Sequence, residues 1–438
     1  MNLGLGIGPT FIGPAFLWSP SRLRVGTRDV RDFTVHPNRL YSDTACTTLI
    51  AGPGAEVAAM CDSQGVRVLE QATAAARPKY AVQPAVGVRN FANGSAAVAS
   101  DASWFDTATS NDVTVTKLSS GVTPDGNAWA RYNVAGTATG TAFPQLYDAA
   151  QSRTPASAGQ SWTASALMRV ESGTTGGAGS GLRVNADEET APATSVGSTV
   201  SSVFSGASLT TISATRAMTT GNQVRTGLIY RVAPGETVDC IVYVEALQFE
   251  LGTSRTAWQA NMSQFDVTEA GVRSLDVLVP DGIDDCLTLS SAFLPSGNFT
   301  LAAAFDHRAG ADNLGILGGT NARFGQSLFN QPRIDANLSA NRTQFTEQSN
   351  GRGVLVVRSV GSGAAQGWRN GVALTPTLIG SMRPLASPGF TEIMKAAGVF
   401  ASGRFFGGVM IDEGDTPFTD AERLMTERYL AYNGGITL

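Results

Sequence analysis

Side chains able to act as an acid, base or nucleophile are scarce in this chain. It contains two histidines, His36 and His307. A hydrolase of the Ser-His-Asp or Cys-His type would have to use one of them, and neither lies in the context of a nucleophile elbow. His36 falls in a turn and His307 follows a strand pattern, so a structural or solvent-facing role is predicted for both. The sequence therefore favours a protein that is not an enzyme.

Paired carboxylates offer a second route to catalysis. Two acidic clusters are present, Asp187, Glu188 and Glu189 in one and Asp412, Glu413 and Asp415 in the other. Glycoside hydrolysis needs two carboxyl groups that face each other across a gap of about 5–9 Å, which neighbours within one loop do not provide. A solvated acidic loop is the favoured interpretation, and a catalytic pair stays open as the alternative.

Metal and cofactor sites are not predicted. Asp281, Asp284 and Asp285 could contact a calcium ion, but a calcium site needs several oxygen ligands at fixed offsets. A tight turn before a strand is the favoured interpretation of this stretch. The Gly-rich residues 176–181 lack the Lys-Ser/Thr ending of a phosphate-binding loop.

The four cysteines are Cys46, Cys61, Cys240 and Cys286. None lies in a C-x-x-C pair, which argues against a zinc knuckle or a thioredoxin-like centre. A disulfide between Cys46 and Cys61 stays open, but buried free thiols are the favoured interpretation.

Tryptophans are the best candidates for binding residues. The flat C–H faces of sugars stack on aromatic rings, while Asn, Arg and Asp bind the hydroxyl groups. Trp104 lies in a turn-rich stretch, and Trp368 stands beside Arg369 and Asn370 at a hairpin tip. We therefore predict a carbohydrate-binding role for these residues: Trp104, Trp368, Arg369 and Asn370. Trp129 and Trp162 lie in alternating strand patterns and are predicted to be core residues.

Composition places the chain among globular proteins. Its 438 residues suffice for two or three domains, 42% are hydrophobic and only 15% are charged. The net charge of -5 argues against nucleic acid as a partner, because phosphate binding needs clustered cations. The apolar N-terminus is interrupted by Gly and Pro and carries no early positive charge, so neither a signal peptide nor membrane insertion is predicted.

Turn and strand patterns divide the chain into three parts. Residues 1–85 are punctuated by Gly and Pro and are predicted to form an extended attachment segment. Residues 86–261 and 262–438 contain many short strands separated by turns, which predicts two tandem jelly-roll β-sandwiches. The fold class is thus all-β.

Short-range signals place several elements. Strands are predicted at 113–118, 128–134, 161–170, 227–232, 241–251, 298–305, 353–360 and 403–411, with a hairpin around Asn370-Gly371. One C-terminal helix is predicted, with Thr419 and Glu422 as a capping box and Gly434-Gly435 at its end. Its buried face is predicted to comprise Ala421, Leu424, Met425, Tyr429 and Tyr432.

Three stretches resemble virion proteins of tailed phages. Residues 40–49 followed by 71–80 are similar to the lead of many phage and prophage structural proteins. Gln248–Gly252 through Trp258 resembles the closing strand of carbohydrate-binding-module-like jelly rolls in phage tail proteins. Residues 281–287, the Trp368–Val372 hairpin and the 419–438 helix resemble a concanavalin A-like, or laminin G-like, jelly roll, although an Asp/Asn-rich metal-binding loop is lacking.

The resemblance implies a virion surface protein of a tailed phage or gene transfer agent. Such a head spike, tail fibre or baseplate adhesin would attach to other virion proteins through its N-terminal segment and bind host cell-surface polysaccharide during adsorption. It would form a homo-oligomer, a trimer or a pentamer, made in the bacterial cytoplasm and released by lysis. A capsule-degrading depolymerase on the same scaffold and a structural connector without a ligand are the alternatives.

Overall fold

The fold is known from a computed structural model that describes residues 28–62, 66–101, 104–148, 153–191, 193–281, 283–307, 315–326, 331–337, 340–346, 351–396, 399–400 and 403–438. Strands make up 53% of the chain and helices 6%, which confirms the predicted all-β class with sandwich-like sheets and a short C-terminal helix. Residues 1–27 of the predicted attachment segment lie outside the described residues. Among the described residues, no helix has the length and apolar character that crossing a membrane requires.

The chain divides into two compact units. Unit 1 combines the chain up to Ala81 with Leu275–Leu438, and unit 2 is the continuous stretch Val82–Ser274. The first strands are β1 (Asp29–Asp32), β2 (Leu40–Tyr41), β3 (Ala59–Cys61), β4 (Arg67–Glu70) and β5 (Lys79–Pro84). Two short 3-10 helices, Pro37–Arg39 and Ala74–Ala76, lie between them.

The remaining elements follow in chain order. The next strands are β6 (Thr107–Ser110), β7 (Val113–Val122), β8 (Ala128–Thr137), β9 (Gln145–Asp148), β10 (Thr154–Pro155), β11 (Ser161–Thr174), β12 (Gly181–Thr190), β13 (Thr194–Val200), β14 (Thr210–Ala217), β15 (Gln223–Arg231), β16 (Thr237–Leu251), β17 (Ala260–Ser263) and β18 (Asp266–Thr268). After them come β19 (Ser274–Val279), β20 (Leu287–Phe293), β21 (Phe299–His307), β22 (Gly315–Gly318), β23 (Arg323–Gln326), β24 (Pro332–Asn337), β25 (Asn341–Phe345), β26 (Gly351–Ser359), β27 (Gln366–Arg369), β28 (Val372–Leu374), β29 (Pro376–Ile379), β30 (Phe390–Ile393), β31 (Lys395–Ala396), β32 (Val399–Phe400), β33 (Gly403–Asp412) and the helix α1 (Asp420–Gly434).

Unit 2 is a sandwich of two antiparallel sheets. The six-stranded sheet has the order β14-β11-β16-β8-β7-β6, and the five-stranded sheet has the order β10-β15-β12-β13 with β9 paired to β15. Successive side chains of a strand point to opposite faces. Ala130 and Tyr132 of the first sheet therefore meet Val184 and Leu228 of the second in one buried cluster.

Unit 1 contains two further sheets. The first has the order β19-β33-β21-β26-β27-β28 with β1 beside β33, and the second has the order β2-β3-β4-β20-β30-β22-β23-β24-β25-β29. Their buried faces meet through aromatic rings, with the ring centroid of Phe299 6.5 Å from that of Phe293 and 6.3 Å from that of Phe390. We call the face of the first sheet that points away from this core its outer face.

The helix α1 lies against β21, β26 and β33 on that outer face. The predicted capping box of Thr419 and Glu422 is confirmed, and Gly435 ends the helix at a φ of 60°. The predicted buried face is wrong, because Leu424 and Tyr432 are 39% and 55% exposed. The buried residues are instead Thr426, Glu427, Leu430, Ala431 and Gly434. Polar side chains can occupy such a face where they find partners, as Thr426 does by donating to the Glu422 carbonyl at 2.8 Å.

Candidate carbohydrate-binding faces

Trp104 is a core residue of unit 2. Its side chain is only 2% exposed, and its ring centroid lies 4.9 Å from that of Tyr147. The indole N–H donates to the Gly94 carbonyl at 3.0 Å, which satisfies the one polar atom of the ring. In this conformation Trp104 has no ring face to offer to a sugar.

Trp368 and Arg369 point to opposite faces of their sheet, as neighbours on a strand must. Trp368 faces α1, where the guanidinium carbon of Arg423 lies 4.6 Å from the ring centroid. Arg369 faces the core, with its guanidinium carbon 5.9 Å from the Phe305 ring centroid, and burial lowers its pKa. One ligand on either face therefore meets only one of the two side chains.

Asn370 holds the turn of the hairpin. Asn370 and Gly371 have φ values of 48° and 81°, as the predicted two-residue turn requires. The Asn370 side-chain oxygen accepts the Val354 N–H at 2.8 Å, and the Asn370 N–H donates to the Val354 carbonyl at 3.0 Å. The hairpin is thus confirmed, and the oxygen of Asn370 already has a partner within the protein.

Trp368 lines a shallow surface depression at the start of α1. Its other lining residues include Arg358, Phe418, Thr419, Asp420 and Arg423. Ala373, the cross-strand neighbour of Trp368 on the edge strand β28, is small and exposed. The Trp368 ring is half-buried, and the Arg423 guanidinium covers one of its faces.

Buried carboxylates position the walls of this depression. Glu413, fully buried, accepts two hydrogen bonds from Arg358 at 2.8 Å each and one from the Phe418 N–H at 3.0 Å. Glu427, also fully buried, accepts from Arg423 at 2.7 Å. Burial raises the pKa of Glu427, and the Arg423 guanidinium and the Gly371 N–H offset this only in part.

Trp129 is a candidate site residue that the sequence did not point to. It was predicted to be core, and this is wrong: Ala128 and Ala130 of β8 point into the sandwich, so Trp129 between them points outward and is half-buried. Trp162, by contrast, is 3% exposed, which confirms its predicted place in the core. The signal that could have identified Trp129 is the alternation of β8, in which Tyr132 shares the face of the two alanines.

The Trp129 ring lies over the neighbouring strand β7. A Cβ atom added at Gly121, its cross-strand partner, would come within 2.9 Å of the ring. On the other side Trp129 stacks with Tyr243, with ring centroids 5.6 Å apart and planes inclined by 24°. The absent side chain at Gly121 thus leaves room for the indole over β7.

Charged and hydroxyl groups surround this aromatic pair. The Tyr243 hydroxyl donates to Glu245 at 2.8 Å, and the guanidinium carbon of Arg169 lies 4.6 Å from the Tyr243 ring centroid. Glu171 bridges Arg169 at 2.8 Å and Arg131 at 2.6 Å. Burial, followed by the hydrogen bond to Glu245, raises the pKa of Tyr243, so the hydroxyl stays protonated. We call Trp129, Tyr243, Arg131, Arg169 and Glu171 the aromatic face of unit 2.

The first acidic cluster is structural. Asp187, Glu188 and Glu189 lie on β12 and are 9%, 0% and 2% exposed, so the predicted solvated loop is wrong. A β-bulge between Glu188 and Glu189 alters the alternation there. Each carboxylate has an arginine partner: Asp187 with Arg225 at 3.4 Å, Glu188 with Arg216 at 2.5 Å and Glu189 with Arg153 at 2.6 Å.

Glu188 anchors the turn between β14 and β15. Its Oε1 atom accepts the N–H groups of Thr219, Thr220 and Gly221 at 2.8, 2.8 and 2.7 Å. Burial alone would raise the pKa of Glu188, but the Gly221 N–H, Arg216 and Thr219 together lower it to about 2. Such a carboxylate stays ionised and is not suited to donate a proton near neutral pH.

In the stretch that was predicted to form a tight turn, Asp281 and Asp285 accept nearby backbone N–H groups. The Asp281 Oδ1 atom accepts the Ile283 N–H at 2.7 Å, and Asp285 Oδ2 accepts the Asp281 N–H at 2.8 Å. The carboxylate oxygens of Asp281, Asp284 and Asp285 lie within 4.8 Å of one another. Gly282 is outside the described residues. His36, also placed in a turn, caps a 3-10 helix and accepts the Asn38 N–H at 3.3 Å, as a structural histidine would.

No protein-family model matches the chain, and the search of curated proteins finds no significant match.

Proposed function

We propose that this chain is a non-enzymatic virion surface protein that binds cell-surface polysaccharide. One observation carries the proposal: each unit presents a half-buried tryptophan on an outward-facing sheet surface beside arginine and carboxylate groups. In unit 2 this is Trp129 with Arg131 and Glu171, and in unit 1 it is Trp368 with Arg423 and Asp420.

Both faces suit a sugar better than an apolar ligand. A pyranose ring stacks its C–H face on an indole, and its hydroxyl groups need donors and acceptors at the ring's edge. At the aromatic face of unit 2, Arg131, Arg169 and Glu171 are linked to one another and hold both kinds of group close to the stacked rings. In unit 1 the carboxylate of Asp420, with 87% of its side chain exposed, remains accessible beside Arg423.

The virion setting and host adsorption rest on the sequence resemblance stated above. A shallow face on a sheet binds one sugar weakly, and many linked copies raise the effective concentration. A trimer or pentamer on a symmetric particle, attached through the N-terminal segment, would supply that multiplicity. The two units would then provide two glycan contacts per chain.

The test measures binding of the purified protein to a panel of bacterial capsular and lipopolysaccharide glycans. Trp129→Ala and Trp368→Ala should each weaken binding roughly tenfold, the loss expected from about 1.4 kcal/mol of stacking. Gly121→Val should weaken binding similarly, since the added side chain lifts the Trp129 ring off β7 without removing it.

Exposed aromatic residues elsewhere provide matched controls. Phe143 in unit 2 is 44% exposed and Tyr432 in unit 1 is 55% exposed, and their alanine variants should bind as the unaltered protein does. Equal binding by all variants would contradict both faces, whereas no binding of the unaltered protein to any glycan would favour a connector without a ligand. Accumulation of reducing sugar ends during the assay would overturn the non-enzymatic proposal in favour of the depolymerase.

A further inference from the structure

Cys46 and Cys61 form a thiol pair in unit 1. Their Sγ atoms are 3.0 Å apart, about 1 Å more than the S–S distance of a disulfide. Both are free thiols in the structure. The other two cysteines, Cys240 and Cys286, are buried and belong to different units.

The two cysteines differ in backbone conformation. Cys61 ends the short strand β3 and is 1% exposed. Cys46 lies in a turn at a φ of 57°, a conformation that a residue other than glycine seldom adopts. The Asp43 carboxylate fixes that turn by accepting the N–H groups of Thr47 and Thr48 at 3.1 and 2.7 Å. The turn therefore presents Cys46 to β3 at the cost of an unfavourable backbone conformation.

We propose that Cys46 and Cys61 are a modification site, which a soluble disulfide converts into an intramolecular cross-link. Cys46, which is half-buried, is the thiol that such a reagent reaches first. Its thiolate attacks one sulfur of the reagent, forming a mixed disulfide and releasing one thiolate. Cys61 then gives up its proton and attacks the Cys46 sulfur, and the second reagent thiol leaves. Two protein thiols are thereby oxidised and one reagent disulfide is reduced to two thiols.

Burial favours the protonated form of the Cys61 thiol in the reduced pair. Burial, followed by the neighbouring Cys46 and Asp62, raises the pKa of Cys61 to about 12. The pair would accordingly remain reduced in a reducing cytoplasm and close slowly in an oxidising medium. The cross-link would tie the turn at Asp43–Thr48 to the sheet that contains β3. This inference does not depend on glycan binding.

The experiment treats the full-length protein with oxidised glutathione at pH 8 and then alkylates the remaining thiols. Both cysteines lie in one tryptic peptide, residues 40–67, because no Lys or Arg intervenes. That peptide should become lighter by two hydrogen atoms and resist alkylation. Cleavage at Glu56, which lies between the two cysteines, should leave its halves joined until a reductant is added. Closure of the loop should also raise the Tm by several degrees.

Single variants separate this outcome from nonspecific oxidation. Cys61→Ser should stop at a glutathione adduct on Cys46, and Cys46→Ser should show neither adduct nor cross-link. Cys240→Ser and Cys286→Ser should close the loop as the unaltered protein does. If all four thiols of the folded, unaltered protein remain alkylatable after prolonged oxidation, or if the cross-link involves Cys240 or Cys286, the proposal is wrong.

Discussion

Trp104 and Trp129 belong to the same unit and have exchanged the roles that their sequence contexts suggest. Trp104, from a turn-rich stretch, is 2% exposed, and its indole N–H donates a hydrogen bond to the Gly94 carbonyl. Trp129, from a regular strand, lies beside Gly121 on the face of the six-stranded sheet that points away from the core of unit 2. Local structure alone therefore does not indicate whether an aromatic ring holds a fold together or faces solvent. What decides is which surface the ring meets once the sheets have paired.

The largest expected effect is on stability, and it distinguishes Trp104 from Trp129. Trp104→Ala should reduce the free energy of unfolding by about 3–5 kcal/mol, because it leaves a cavity in the core of unit 2. Trp129→Ala should cost about 1 kcal/mol, chiefly its stacking with Tyr243. Denaturant titration of the three proteins checks both values, with Trp104→Phe as the control that preserves most of the ring volume. Equal losses for the two alanine variants would erase the distinction.

A second prediction extends the comparison to charged side chains. Glu188→Gln should destabilise unit 2 at pH 7 by about 2–4 kcal/mol, because it breaks a buried ionic contact to Arg216. Since the folded-state pKa is lowered from 4.5 to about 2, this stability is fully present above pH 4.5 and is lost as the pH falls toward 2. Thermal melts from pH 2 to 7 should therefore converge for variant and unaltered protein at the acid end. Asp125→Asn, at an exposed turn, should melt as the unaltered protein does at every pH.

The smallest expected effect has the opposite sign. Burial, and then the charges of Asp281 and Asp284, raises the pKa of Asp285 from 3.8 to about 6. The protonated carboxyl therefore contributes stability below pH 3.8, and this contribution is lost as the pH rises through about 6. Asp285→Asn retains an oxygen that can accept the Asp281 N–H. It should raise the free energy of unfolding by about 1–2 kcal/mol at pH 8 and by little at pH 4. A gain in stability that is independent of pH would contradict this prediction, because its cause could not be the titration of Asp285.

Short-range signals in the sequence were sufficient to predict several strands, the hairpin turn and the C-terminal helix. The strand patterns of β7, β8 and β11, the Asn370-Gly371 turn and the Thr419 capping box each depend on residues only a few positions apart, and the structure contains all of these elements. The same alternation places Trp368 and Arg369 on opposite faces, whereas the predicted binding role grouped them at one hairpin tip. The carbohydrate-binding role of Trp368 and its neighbours stays a prediction.

Contacts between distant residues were not predictable in this way. The partner of Glu188 is Arg216, and the partner of Glu413 is Arg358, each on another strand. In the sequence a buried carboxylate of this kind cannot be told from an exposed one. Its arginine partner is identified only after the strands have paired. The buried face of α1 was missed for a different reason: Glu427 is charged and was not expected on that face, although its partner Arg423 lies one turn away on the same helix.

The interruption of unit 1 by unit 2 has a consequence for biosynthesis. The ribosome completes Val82–Ser274 before it makes Leu275–Leu438, which the earlier stretch needs as its partner. Domains tend to fold as units while the chain emerges. The nascent strand β4 must then wait for β20, and β1 for β33, until the ribosome has passed through the whole of unit 2. Chaperone demand should accordingly be concentrated on the part of unit 1 that precedes Val82.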